Sequence, residues 1–152
     1  MAGPKHVFRP VNEDLGMNSH DVRWRQRFDQ FDRTFALLES AMTIEKMTVV
    51  ERAGLIQFFE MAFEQGWKLL KDYQESEGFT IASPRQAIKQ AFQSGLVADG
   101  HAWISALEDR NLTTHTYNEQ TAILVEEKIR HAYFPLIKTL HAVFRDKIGQ
   151  QP

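Results

Sequence analysis

From about Asp21 the apolar residues of this chain recur at steps of three and four: Trp24, Phe28, Phe31, Phe35, Leu38 and Met42, with Arg25, Arg27, Asp32 and Arg33 between them. That period predicts an amphipathic helix with one narrow seam, and aromatic residues on such a seam are core packing rather than a base-stacking surface. A second run is wider. Thr48-Val49-Val50-Glu51 has the form of a capping box and opens a long helix expected to reach about Gln74. Leu55, Phe59, Ala62, Leu69 and Tyr73 lie along one line of it, with Ile56, Phe63, Trp67 and Leu70 along the next, while Phe58 and Met61 point elsewhere. A face this broad implies burial on several sides, or apolar surface kept for a partner. Gly66 inside the seam permits a close helix crossing.

The only long connection follows at Glu75–Thr80, and Ser83-Pro84-Arg85-Gln86 starts a short helix with Ala87, Ile88, Ala91 and Phe92 inward and Gly95 as its stop. Asp99 is placed to cap the next helix, whose inward residues are Trp103, Ala106 and Leu107 and whose C-terminal end carries Arg110. The last helix runs to about Lys147 through Ile123, Ile129, Tyr133, Leu136, Leu140 and Phe144, and Pro135 should bend it. No segment alternates as a strand and no repeat is present. The expectation is an all-α, antiparallel up-and-down helical bundle of four main helices plus one short helix over residues 19–148, preceded by an irregular arm over residues 1–18 that contains Pro4, Pro10 and Gly16.

Composition narrows the chemistry. A chain of 152 residues makes one domain with a sizeable core. The absence of cysteine excludes disulfides, thiolate metal sites and a cysteine nucleophile, and fits a reducing compartment. No apolar run approaches the ~20 residues of a membrane span, and the N-terminus lacks a signal-peptide core, so the expected location is the cytoplasm. With a formal charge of −2 there is no global basic field, and any contact with RNA has to be local.

The polar stretch Asp109-Arg110-Asn111-Leu112-Thr113-Thr114-His115-Thr116-Tyr117-Asn118 separates the last two apolar patterns. It places a permanent cation, a group titrating near neutrality and a phenol within a few residues, a set suited to phosphate. Thr116-Tyr117-Asn118-Glu119 has the form of another capping box, which would put His115 at a helix N-terminus, where anions are favoured and a protonated imidazole is not. A purely structural role is open as well: Arg110 suits a helix C-terminus, with Asp109, Glu108 or Glu119 as surface partners. His6, His20, His101, His131 and His141 make no zinc-protease pair, so no metal and no cofactor is implied. Phosphate loops, serine-hydrolase elbows and the paired aspartates of a nucleotidyltransferase are all missing from the sequence.

The segment from Ala106 to Tyr117 resembles the Arg-x4-His-x-Tyr signature of HEPN domains (higher eukaryotes and prokaryotes nucleotide-binding), matching at Arg110, His115 and Tyr117. Arg23-Trp24-Arg25-Gln26-Arg27-Phe28, Glu51-Arg52, Ser83-Pro84-Arg85 and Trp103 are similar to the branch of nucleotidyltransferase substrate-binding proteins. The resemblance implies a helical bundle that forms a homodimer and pairs with a minimal nucleotidyltransferase as toxin and antitoxin. It further implies a metal-independent endoribonuclease in which His115 removes the ribose 2′-hydroxyl proton and Arg110 stabilises the phosphorane. Asn111 would orient the arginine or the phosphate, and Tyr117 would position substrate and accept adenylate from the partner. One chain supplies one histidine, so a dimer cleft would complete the acid–base pair. Two other classes stay open: a non-catalytic subunit using the same residues to hold a nucleotide or acceptor for the transferase, and a plain dimerisation module whose polar stretch only caps helices.

Overall fold

The structure, a computed structural model, describes residues 18–115 and 118–150, the side chains of Thr114 and His115 excepted. The arm expected over residues 1–18 lies outside the described residues except for Asn18, which has a definite task. Asn18 caps the first helix, α1 (Ser19–Ala41): its Oδ1 accepts the Asp21 backbone N–H at 3.0 Å and Asp21 Oδ2 accepts that of Asn18 at 3.3 Å. Trp24, Phe28, Phe31, Phe35 and Leu38 all lie on its buried face. Ala41 completes the stripe, and Met42 is the half-buried C-cap.

Helix α2 (Val49–Ser76) begins at the expected capping box, with Thr48 Oγ1 accepting the Glu51 N–H at 3.1 Å and Glu51 returning the bond at 2.9 Å. It is the central element and packs against every other helix. Phe59 stacks on Tyr133 (centroids 5.5 Å), Phe63 leans on Trp103 (5.6 Å), and Tyr73 meets Trp24 edge-on (5.2 Å). Its wide apolar face is therefore explained by burial on several sides. Gly66 lets Phe31 and Leu140 approach: a Cβ there would stand 3.3 Å from Phe31 Cε1 and 3.5 Å from Leu140 Cδ2. Gly78, with φ +99°, closes α2 in a Schellman motif, the Phe79 N–H reaching Gln74 O at 3.0 Å and the Gly78 N–H reaching Glu75 O at 3.1 Å.

Ser83 caps the short helix α3 (Pro84–Gln93), and Gly95, with φ +78°, ends it in the same motif. Ala87, Ile88 and Ala91 point inward as expected, but Phe92 is 52% exposed and lies over Gly100 instead. Helix α4 (Gly100–His115) is capped by Asp99, whose Oδ1 accepts the Ala102 N–H at 3.0 Å, and it buries Trp103, Ala106 and Leu107.

The last helical stretch comprises α5 (Glu119–Lys128), a π-helical turn (Ile129–Tyr133) and α6 (Phe134–Gly149). Ile129, Tyr133, Leu140 and Phe144 are buried and Leu136 is half-buried. Ile123 is exposed and Ala122 and Val125 take its place, because the stripe runs back from Ile129 in steps of four and three. The departure from α geometry expected at Pro135 comes just before it. The Phe134 N–H bonds to Ile129 O, and this widened turn accommodates the proline ring that would otherwise meet the carbonyl of the preceding turn. Among the described residues the molecule is an all-helical antiparallel bundle of four main helices and one short one.

Candidate functional site

Arg110 stands one turn beyond Leu107 and Ala106 on the face of α4 that meets α2. Its Nη2 donates to Glu64 of α2 at 2.6 Å, and Trp67 Nε1 donates to the same carboxylate at 2.8 Å. Arg110 Nη1 donates to Asn111 Oδ1 at 2.9 Å. One turn further, Thr113 Oγ1 donates to Glu60 Oε2 at 2.7 Å. Glu60 and Glu64 thus hold the polar second half of α4 against α2 as Trp103 holds the apolar first half. The three acidic partners suggested by the sequence are engaged elsewhere: Asp109 with Lys128 at 3.1 Å, Glu108 with Arg85 at 3.7 Å, and Glu119 with Arg52.

Asp109 also accepts from the hydroxyl of Tyr133, and Ser105 Oγ lies 3.1 Å from that same hydroxyl. Burial first, and the bond to Asp109 second, push the Tyr133 phenol up to about 12, so it remains a donor at neutral pH. The phenol fastens α4 to the π-helical turn immediately beside Arg110.

As far as His115 the polar stretch is helical, where its composition implied a break. Helix α4 continues through Asn111, Leu112 and Thr113, and the backbone of His115 closes it. His115 is therefore not at the helix N-terminus expected for it: its backbone ends a helix instead of beginning one. Thr116, the expected cap, and Tyr117 lie outside the described residues. The cap of α5 is Asn118, whose Oδ1 accepts the Thr121 N–H at 2.8 Å, and Glu119 opens the helix rather than occupying its third position. That register frees the Glu119 carboxylate to meet Arg52.

Arg52 belongs to a second polar cluster that the sequence did not reveal. Its Nε donates to Glu126 Oε1 at 2.7 Å, Arg130 Nε donates to Glu126 Oε2 at 2.8 Å, and the two guanidinium groups also reach the Met47 and Ile44 carbonyls. Burial disfavours the charged form of Glu126, but the hydrogen bonds from Arg52 and Arg130 outweigh it and hold the carboxyl below its ordinary range. The Arg52 guanidinium is shifted upward, first by its bond to Glu126. The cluster ties the start of α2 and the connection before it to both ends of α5 and to the π-helical turn. The pairing of Glu51 and Arg52 at a helix start was the one visible signal.

The structure thus brings Arg110 and Asn111 together on α4, adds Glu64, Asp109 and Tyr133 around them, and carries the backbone as far as His115. Residues 26–145 match the family model described as nucleotidyltransferase substrate binding protein like. The chain belongs to this family. The whole Arg110–Tyr117 motif falls within the matched segment, so this nucleotidyltransferase substrate-binding-like protein is a HEPN-domain protein. It is 29% identical over 82 residues to the probable ribonuclease HepT of Haemophilus influenzae, a match that spans 51% of this chain and 56% of that protein. A crystal structure of a protein from Thermus thermophilus is similar throughout its length: the TM-score is 0.66 and the identity 32%, covering 79% of this chain and 99% of the other. No helix among the described residues is long and apolar enough to cross a membrane.

Proposed function

We propose that this HEPN-domain protein is a toxin with metal-independent endoribonuclease activity, acting in the cytoplasm as a homodimer and neutralised by a partner minimal nucleotidyltransferase. The observation that carries the reading is the complete Arg110-x4-His115-x-Tyr117 motif lying inside the family match, in a chain related to a protein named as a probable ribonuclease. His115 is the base that takes the 2′-hydroxyl proton, and Arg110 balances the charge of the phosphorane as the 5′-oxygen leaves. Asn111 orients the guanidinium, in keeping with its 2.9 Å bond to Arg110 Nη1. Five residues of α-helix turn through roughly 500°, which sets the backbone positions of Arg110 and His115 on different sides of α4. This spacing supports a site shared between two copies, in which the arginine of one chain works with the histidine of the other. Tyr117 positions substrate and is the hydroxyl to which the partner attaches adenylate.

A second reading is favoured by the family's own description as substrate binding, and by the carboxylate of Glu64 already seated on Arg110. In it the same residues hold a nucleotide for the transferase without cutting RNA. Purified wild type, His115→Ala and Arg110→Ala, given RNA and separately ATP, decide between the two. Cleavage by wild type and by neither variant supports the nuclease, whereas ATP binding with RNA left whole supports the binding subunit.

A further inference from the structure

A concavity formed by the described residues lies apart from Arg110. It is a groove of about 600 Å³ between α3 and α4, with Ile88 and Ile104 at its base and Phe92 along one side. Three residues that carry or can acquire positive charge, Arg85, Lys89 and His101, stand around it. The chain as a whole has a formal charge of −2, whereas the groove is lined by the two permanent cations Arg85 and Lys89 against a single carboxylate. One carboxylate, Glu108, also lines the groove and stands 3.7 Å from Arg85.

Phe92 is half exposed and lies against Gly100 at the start of α4. A Cβ at Gly100 would stand 3.1 Å from Phe92 Cγ and 3.2 Å from its Cβ, so the ring packs closely on residue 100 because that residue has no side chain. An aromatic face half open to water beside fixed cations is the arrangement that accepts a stacked base with its phosphate alongside. Along α4 the groove residues Gly100, Ile104 and Glu108 are spaced by four, and Asn111 continues that side of the helix one turn on, where it bonds to Arg110. A strand lying in the groove would therefore be led along α4 toward the candidate site.

We propose that the α3–α4 groove is a binding subsite for single-stranded RNA flanking the cleaved bond, a base stacking on Phe92 and the adjoining phosphates meeting Arg85 and Lys89. The assignment of RNA as its ligand rests on the nuclease reading of the Arg110 stretch. None of the described residues that line the groove is assigned to cleavage.

The test is fluorescence anisotropy of a labelled single-stranded uridine oligonucleotide with the full-length protein in the His115→Ala background, while cleavage by the His115 form is followed separately. Phe92→Ala should weaken binding about tenfold, the range of one lost base–aromatic stack, and Phe92→Trp should restore it. Arg85→Gln with Lys89→Gln should lower the slope of log K against log salt by roughly 1.4, as expected for two single-strand phosphate contacts. Thermal unfolding of each variant is measured in parallel, and Phe92→Trp shows whether a loss comes from the ring or from the fold. Unchanged affinity in Phe92→Ala and in the double variant overturns the subsite even if the protein cuts RNA. No RNA binding by the parent overturns it too, and cleavage by the His115 form then shows that the nuclease reading survives. A Phe92→Ala protein that loses self-association but keeps RNA affinity replaces the RNA subsite with a protein contact.

Discussion

Replacing Glu126 by glutamine probes the cluster that fixes the end of the bundle bearing the candidate site. The side chain is 10% exposed and accepts from Arg52 Nε at 2.7 Å and Arg130 Nε at 2.8 Å. Two charge-assisted bonds at roughly 1.5–3 kcal/mol each set an upper limit of ~6 kcal/mol. Glutamine keeps one oxygen acceptor, Arg52 keeps Glu119 and the Met47 carbonyl, and Arg130 keeps the Ile44 carbonyl, which together with partial solvent screening brings the expected loss to about 2 kcal/mol. For a chain of this size that is a fall in Tm of about 4–8 °C. The adjacent Glu127, 65% exposed and 3.3 Å from His131, is the control, and Glu127→Gln should stay within ~0.5 kcal/mol of wild type. The pH dependence has a definite sign. Because the folded protein holds the Glu126 carboxyl below its reference value of 4.5, the ionised form contributes fully above that pH, and the contribution is lost as pH falls through the lower folded value. The stability gap between wild type and Glu126→Gln should be constant from neutrality down to about pH 5 and narrow only in acid. Urea unfolding of the three proteins across this range is the assay. A Glu126→Gln loss no larger than that of Glu127→Gln, or a gap that widens in acid, would refute the account of the cluster.

Two glycines of α2 should respond to alanine in opposite directions. Nothing lies within 4 Å of a Cβ built at Gly54, so Gly54→Ala should gain about 0.5–1 kcal/mol in urea unfolding, whereas the 3.3 Å approach to buried Phe31 should make Gly66→Ala lose about 1 kcal/mol. Arg110→Ala should destabilise by about 1–2 kcal/mol because Glu64, only 28% exposed, is left with the Trp67 N–H, and adding Glu64→Gln should recover most of the loss. Recovery of stability without recovery of activity separates the structural part of Arg110 from its chemical part, while equal recovery of both would make the arginine merely structural. Tyr117→Phe should abolish the adenylate increments that intact-mass spectrometry detects after incubation with the partner transferase, ATP and magnesium. Increments persisting in Tyr117→Phe would move the modification to another residue.

Much of the fold was legible because its signals are local. The seam of α1, the capping box at Thr48, the Ser83-Pro84 start, the Gly95 stop and the Asp99 cap each depend on residues within a turn of one another. The features hidden in the sequence depend on partners distant along the chain. Asn111, Leu112 and Thr113 look like a break, yet they are helical, because Glu60 and Glu64 of α2 meet Thr113 and Arg110 across 53 and 46 residues. Asn118 caps α5 in a register that lets Glu119 reach Arg52, 67 residues away. Phe92 follows the apolar period of α3 but is half exposed, its ring lying against Gly100 of α4, a contact eight residues away that the period does not register. At the candidate site, the motif named the residues and the structure supplied their surroundings: a carboxylate on the arginine, and a buried phenol holding the helix that bears it.

In the proposed function this HEPN-domain protein cuts RNA without a metal, using His115 and Arg110. The most direct measurement is the chemistry of the ends produced when purified protein is incubated with end-labelled RNA in excess chelator. The account predicts fragments ending in a 2′,3′-cyclic phosphate and beginning with a 5′-hydroxyl, formed by wild type and absent with His115→Ala. Fragments bearing 5′-phosphates, cleavage that stops on chelation, or undiminished cleavage by His115→Ala would contradict it.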